Sequence, residues 1–387
     1  KQNNVEFASK EVILAEAKLL RAFYYFELVK FFGAIPLVID ERLGVQQVSE
    51  LSRTPKEQVY AQIESDLQDA VATLSWKSES SHSGIKGRVD KGAALGLLGK
   101  VYLYQEKWSL AAGTLDQIIN SNYYSLTPDY TDIFLKENEN NAETIFDIEF
   151  SADEGGSYGC LICLEGNLTP GYQGIRQYDG PEYGDGNSYN LPTQDLFDSF
   201  EYQDPRREAT CLHIDNYIAA NAPGTTYGVG AGGHTGFYNN KYIKSRDEML
   251  NGIPDNDLTS GVNYRVIRYA DVLLMAAEAS NEIGDTSNAI LHLNTVRDRV
   301  GLNLHLIDTS QTPWDDILSA KNAIRELIYK ERRSELSCEG HRFFDLVRTG
   351  TASDEINGFI AGKHELFPIP QVEIDLAGGN WPQNPGY

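Results

Sequence analysis

"VDKGAALGLLGKVYLYQEKWSLAAGTLDQIINS", residues 89–121, reads as two helices joined near Glu106 to Trp108, and it has a counterpart far along the chain. Residues 264–301, "YRVIRYADVLLMAAEASNEIGDTSNAILHLNTVRDRVG", have the same shape. Aligned, Gly99 stands beside Ala277, Ala111 beside Ala289 and Leu115 beside Leu293. Small side chains at that spacing let two antiparallel helices approach closely, as in tetratricopeptide-type repeats. Any amphipathic hairpin also places small residues near its crossing, so the repeat and the plain hairpin both stay open on this evidence alone.

Working outward, residues 11–32 carry apolar side chains at 13, 17, 20, 24, 28 and 31, and again at 12, 15, 19, 22, 26 and 29. Two adjoining stripes predict a helix buried on most sides. Glu16, Lys18, Arg21, Glu27 and Lys30 interrupt it too often for a membrane span. Gly33 and Pro36 stop it. The next helix starts at "TPKE", where Thr54 as N-cap and Glu57 three residues later form a capping-box pattern with Pro55 at the first helical position. "TPWDDILSAKNAIRELIYKERRSELSCEGHRFFDLVRTG" is read as a return to helix opened by Thr312 and Pro313. Within it, Arg332, Arg333, Arg342 and Arg348 interleave with Glu331, Glu335, Glu339 and Asp345, which points to structural pairing and not to an anion site. The tail "ELFPIPQVEIDLAGGNWPQNPGY" is rich in Pro and Gly and is expected to lie extended.

Between the hairpins the character changes. Residues 143–150, "ETIFDIEF", alternate like a short strand, and 151–262 are dense in Gly, Asn, Asp, Pro and Tyr without helical period. Ten of the 22 tyrosines fall in 151–242. A loop region of this length inside a folded chain usually carries function. The predicted fold is therefore mainly α: helical hairpins at 1–150 and 263–387 form a tetratricopeptide-like scaffold in one compact unit, with an irregular Tyr/Gly-rich region at 151–262 and a few short strands.

Composition limits the chemistry. The chain has 387 residues, 41% hydrophobic and 23% charged, with net charge −23 and no basic stripe, so nucleic acid is excluded as a natural partner. "GVGAGG" (228–233) lacks the strand and helix of a dinucleotide fold, and "SGIK" (83–86) lacks the partner motifs of a serine acyl-transfer site. The seven histidines form no HExxH, and "CLIC" (Cys160, Cys163) lacks the second pair of ligands a zinc site needs. "PDND" (254–257) offers oxygens to calcium without the twelve-residue loop pattern, leaving Ca²⁺ as the one cation still open; no other cofactor or metal is expected. Glycoside hydrolysis needs two placed carboxylates, and 56 acidic residues make some pair inevitable, so abundance assigns none.

Five blocks carry a resemblance. "AEAKLLRAFYYFELVKFFGAIPLV", "GRVDKGAALGLLGKVYLYQEKW", "VIRYADVLLMAAEASNEIG", "ERRSELSCEGHRFFDLVRTG" and "LFPIPQVEID…QNPGY" resemble, in order and wording, the SusD/RagB family of Bacteroidetes outer-membrane nutrient-binding lipoproteins. The resemblance implies a tetratricopeptide-like helical fold and no catalysis. It implies a cell-surface protein held to the outer membrane by a lipidated N-terminal cysteine, lying over a SusC-like TonB-dependent transporter and passing it oligosaccharide. Family members also carry a signal peptide, a lipobox cysteine and further residues ahead of the "LRAFYYF" block, which this numbering lacks. Part of a sugar platform would then lie in that stretch.

A pyranose has an apolar C–H face and a belt of hydroxyls, so a flat ring beneath and short polar groups around the edge suit it. "GYQGIRQYDGPEYGDGNSYN" (171–190) supplies such a set: Tyr172, Gln173, Arg176, Tyr178, Tyr183, Asp185, Asn187 and Tyr189 are the expected ligand-binding residues. Tyrosines in long loops also serve to pack the loop onto the body. A glycosidase with carboxylates in 151–260, and a peptide-binding or helical-repeat adaptor on the same scaffold, remain as alternatives.

Overall fold

The computed structural model describes residues 9–39, 42–44, 47, 50–77, 87–153, 157, 159, 165–229, 234–243, 245–248, 259–300 and 317–387. "SGIK", "PDND", Thr312, Pro313, the Cys160/Cys163 pair and most of "GVGAGG" lie outside them. The chain forms two compact units, one of residues 1–83, 88–114 and 341–387, the other of 84–87 and 115–340. Their limits do not coincide with the boundaries at 150/151 and 262/263 drawn from the sequence.

In the first unit, α1 (Lys10–Phe32) packs on α2 (Lys56–Thr73), and α2 on α3 (Lys91–Tyr104). Ala15, Leu19, Ala22, Phe26 and Val29 make the buried stripe of α1. The second stripe is not buried as expected: Ile13, Leu20, Tyr24 and Leu28 are exposed. The α2 face covers one side of α1; on the other side Phe31, at the C-terminal end, packs against Phe344 and Phe367, while the four exposed residues stay open. Gly33 ends α1 at φ 70°, donating its N–H to Val29 O. The capping box at α2 does not form either, because the Thr54 backbone is used in an antiparallel bridge with Ile35 (2.8 and 3.2 Å) and Pro55 becomes the N-cap. Arg21 crosses from α1 to chelate the buried Asp66 of α2 (2.8 and 2.7 Å). The tail is not simply extended: α14 (Gln371–Leu376) interrupts it, and Arg53 then anchors it through Pro382 O and Asn384 Oδ1, both at 2.7 Å. The expectation of an extended tail missed that "PQVEIDL" has the Pro start and apolar spacing of one helical turn.

In the second unit, β1 (Thr144–Ile148) pairs antiparallel with β6 (Tyr264–Arg268), which leads into the hairpin α9 (Tyr269–Glu282) and α10 (Thr286–Arg299). Asp285 caps α10 by accepting from Asn288 N (3.2 Å). Ala277, Ala289 and Leu293 are fully buried, so the small-residue positions lie at the packed face as their spacing predicted. α11 (Ile317–Leu336) packs on α9. The mainly α, tetratricopeptide-like hairpin fold is thus realised. No described helix is long and apolar enough to cross a membrane.

The charges of "ERRSELSCEG" are paired, but with partners far away in the chain and out of water. Arg206 reaches Asp204 (2.8 Å), Glu331 (2.5 Å) and Glu335 (2.9 Å). Arg268 reaches Glu143 (2.7 Å), Glu335 (2.5 Å) and Glu339 (2.8 Å), and Lys241 reaches Glu339 (2.7 Å). All of these side chains are buried. Asp204, Arg206 and Lys241 come from the irregular region, so this network fastens that region to α11 and β6.

Candidate functional site

The stretch 171–190 folds as a compact loop over its own small elements. α5 (Thr169–Gln173) is followed by β2 (Ile175–Arg176), which pairs in parallel with β3 (Asp185–Gly186). That pairing brings Gly174 against Gly186: a Cβ on Gly186 would stand 2.4 Å from Gly174 Cα. Gln177, Glu182, Ser188 and Asn190 all take positive φ, between 51° and 70°. Non-glycine residues hold that conformation only where the surroundings fix it. Here they do: Asp185 Oδ1 accepts from Gln177 N (2.6 Å) and Gly186 N (2.8 Å), Ser188 N donates to Gly174 O (2.9 Å), and Tyr189 N donates to Tyr172 O (2.9 Å).

This scaffold divides the eight expected residues. Tyr178 and Tyr183 are buried in a core with Ile175, Leu212, Ile214 and Tyr238. Tyr178 Oη donates to Pro181 O (2.9 Å), and burial raises the Tyr183 hydroxyl well above its ordinary range. They pack the loop and present no ring to a ligand. Asp185 is spent on the turn, and Gln173 accepts a short hydrogen bond from Asn239. Asn187 gives its carbonyl to Arg176 Nη2 (3.1 Å).

The remaining three are Tyr172 and Tyr189, whose rings meet, and Arg176; Tyr189 is exposed and the other two are half-buried. The rings of Tyr172 and Tyr189 lie 5.9 Å apart at 59°, and Tyr189 is 59% exposed. Neither hydroxyl has a hydrogen-bond partner among the described residues. Arg176 is half-buried: its Nη2 holds the Asn187 carbonyl, its Nε is buried without a hydrogen-bond partner, and no carboxylate lies in ion-pair range among the described residues. A tilted tyrosine pair with two free hydroxyls offers apolar surface and hydrogen bonds in one patch.

Residues remote in sequence back this loop from the core side. The Arg176 N–H donates to Ser188 Oγ (3.2 Å), which meets Tyr238 Oη (3.2 Å) on β5 (Phe237–Asn239). His234 lies 6.1 Å from the Tyr238 ring and 5.4 Å from that of Tyr227, whose hydroxyl donates to Asp215 Oδ1 (2.8 Å) on α8 (Ile214–Asn221). The density of tyrosines across 151–242 was the signal for these residues; which of them converge depends on the β4–β5 pairing, with β4 at Cys211–His213, and spacing does not reveal it. Among the described residues no group of three or more His, Cys, Asp or Glu side chains is placed to hold a metal ion.

Comparison with known proteins gives one consistent result. The family model described as "SusD family" matches residues 142–365, and one described as "Starch-binding associating with outer membrane" matches residues 1–103. A SusD-like protein of Formosa agariphila is 29% identical over 399 residues, covering 97% of this chain and 74% of the relative. A solved structure titled "Laminarin binding SusD-like protein" is 34% identical with a TM-score of 0.86, covering 99% of this chain and 81% of its own. Surface glycan-binding protein A from Bacteroides thetaiotaomicron, solved in complex with laminarihexaose, is 26% identical with a TM-score of 0.82, covering 99% of this chain and 80% of its own.

Proposed function

We propose, from the premise that this chain belongs to the SusD family, that it is a cell-surface glycan-binding protein which captures oligosaccharide at the Tyr172–Tyr189 patch. The observation that carries this reading is the tyrosine pair itself: two rings on a loop held by hydrogen bonds at Gln177, Gly186, Ser188 and Tyr189, with both hydroxyls left unused. Preorganised groups bind with little ordering cost, which suits capture of a flexible, hydroxyl-rich chain. Laminarin and laminarihexaose, named for two of its structural neighbours, are the first ligands to try. Held at the outer membrane, the protein hands its cargo to a SusC-like TonB-dependent transporter and does not cleave it. The names of its relatives support binding, and their family model is described as associating with the outer membrane.

Titration calorimetry with laminarihexaose tests the reading. Tyr172→Ala/Tyr189→Ala is expected to weaken binding about tenfold or more, equivalent to about 1.4 kcal/mol, with the helical melting transition unchanged. Undiminished binding by a folded double variant overturns the site, and release of reducing ends from laminarin overturns the absence of cleavage.

A further inference from the structure

The C-terminal part of the first unit holds a cavity of about 260 Å³ that the glycan reading does not use. Its walls include Phe343 on α12 (Arg342–Arg348), Phe359, His364, Leu366, Phe367 and Tyr387. Phe343 and Phe367 meet edge to face (6.2 Å, 74°), as do Phe359 and His364 (5.7 Å, 83°). Hydrogen bonds fix the segment between Phe359 and Phe367: Ile360 N donates to His364 Nδ1 (3.0 Å), His364 N to Ile360 O (3.0 Å) and Gly362 N to Glu365 Oε1 (2.9 Å). Tyr387 Oη donates to Leu366 O (3.1 Å), and Lys363 Nζ stands 4.7 Å from the centre of the Tyr387 ring. The cavity is therefore preformed, and part of its lining reaches solvent, with Phe367 45% and Tyr387 46% exposed.

Its chemistry selects the occupant. The Tyr387 hydroxyl and His364 Nδ1 are spent, leaving the Asn357 amide and His364 Nε2 as the lining's polar side-chain groups without a hydrogen-bond partner among the described residues. A pyranose would bury a belt of hydroxyls with few partners there, whereas an indole or phenol brings one polar hydrogen. A cavity of about 150 Å³ holds benzene, so this one has room for either ring. Charge narrows the choice further. In residues 341–387 six Asp and Glu stand against three Lys and Arg. Arg342 is held by Glu355 (2.8 Å), Arg348 by Asp345 (2.9 Å) and Lys363 by the Tyr387 ring. The exposed Asp354, Glu373 and Asp375 have no cation in ion-pair range among the described residues, and Asp354 stands two positions before Ile356 of the lining. We infer that this cavity is an interaction site for another protein, which inserts a tryptophan or tyrosine side chain flanked by Lys or Arg. Aromatic anchors seated in pockets dominate interface energetics, and complementary charge around them steers the encounter. A second copy of this chain, at net charge −23, is repelled from the same surface. The site goes beyond the glycan reading and does not depend on it.

Three end-blocked tripeptides added to the full chain test this: Lys-Trp-Lys, Glu-Trp-Glu and Lys-Ala-Lys. Saturation-transfer NMR at low ionic strength is expected to show the indole of Lys-Trp-Lys in contact with the protein. Its affinity is expected to exceed that of Glu-Trp-Glu by about threefold and that of Lys-Ala-Lys by about tenfold. Asn357→Trp, at an exposed position of the lining, sets an indole over the cavity and is expected to weaken Lys-Trp-Lys about tenfold with melting unchanged. Ile360→Lys, at an exposed position beside Phe359, is expected to remove the preference over Glu-Trp-Glu. Equal binding of Lys-Ala-Lys and Lys-Trp-Lys, or the parent's full affinity and preference in a folded Asn357→Trp or Ile360→Lys, overturns the inference. Displacement of Lys-Trp-Lys by laminarihexaose overturns it in favour of a sugar site. A dimer in sedimentation that Asn357→Trp dissociates overturns it in favour of a contact between copies.

Discussion

Glu335 shows how a single residue can be legible in type and illegible in role. Its place among arginines and glutamates announced pairing, and it is paired, but with Arg206, Arg268 and Arg299, all distant in sequence. Burial alone would raise its carboxyl; Arg299, Arg268 and Arg206 outweigh that and hold it well below the usual carboxylate range. Helical period predicts which side of α11 is apolar, but nothing local tells that three guanidinium groups converge on one carboxylate. Removing one member of a buried network strands the others without a counter-charge. Glu335→Gln is thus expected to lower unfolding stability by about 3–5 kcal/mol, whereas exposed Glu355→Gln, which loses only its surface contact with Arg342, changes it by less than about 1 kcal/mol. Urea denaturation of the two variants checks this, and equal midpoints would refute it.

Among the elements, those with a strong local period were read correctly and those set by a neighbour were not. The hairpin of α9 and α10, the strand at 144–148 and the stop at Gly33 follow from residues a few positions apart. The exposed stripe of α1 and the absent capping box at α2 depend on what packs or bridges there. The loop at 171–190 falls between: its tyrosine-rich composition was visible, but the division into buried Tyr178 and Tyr183, half-buried Tyr172 and exposed Tyr189 goes with the parallel contact of β2 and β3. That contact exists because Gly174 and Gly186 lack side chains. A Cβ at Gly186 would also meet Gly171 O at 2.6 Å, and backbone cannot yield as a flexible side chain does. Gly186→Ala is expected to part the two strands, move Tyr189 away from Tyr172 and cut laminarihexaose affinity about tenfold, while far-UV circular dichroism keeps its helical signal. Retained affinity would show that the ring pair does not depend on this contact.

At the scale of the whole molecule, acidity acts in two opposed ways. The net charge of −23 means that protonating exposed carboxylates relieves self-repulsion as pH falls. The carboxyls of Glu335, Glu201 and Glu282 are held low in the folded protein: burial would raise each, and their arginine and lysine partners more than reverse it. For these groups the unfolded chain takes up protons first, near the ordinary glutamate value of about 4.3, so the unfolded state binds more protons and stability falls with pH. Their contribution is complete above that value and disappears as pH drops toward the depressed folded values. Self-repulsion between surface charges is screened over about 8 Å at physiological ionic strength, whereas the buried network is shielded from salt. The network should therefore prevail. Urea midpoints measured at physiological ionic strength are expected to decline from about pH 4.5 downward, and Glu335→Gln, lacking the most strongly shifted of these carboxyls, is expected to start lower and decline less steeply. A midpoint that rises on acidification through this window, or a parent and variant with parallel slopes, would place the pH dependence in the surface charge and not in the buried network.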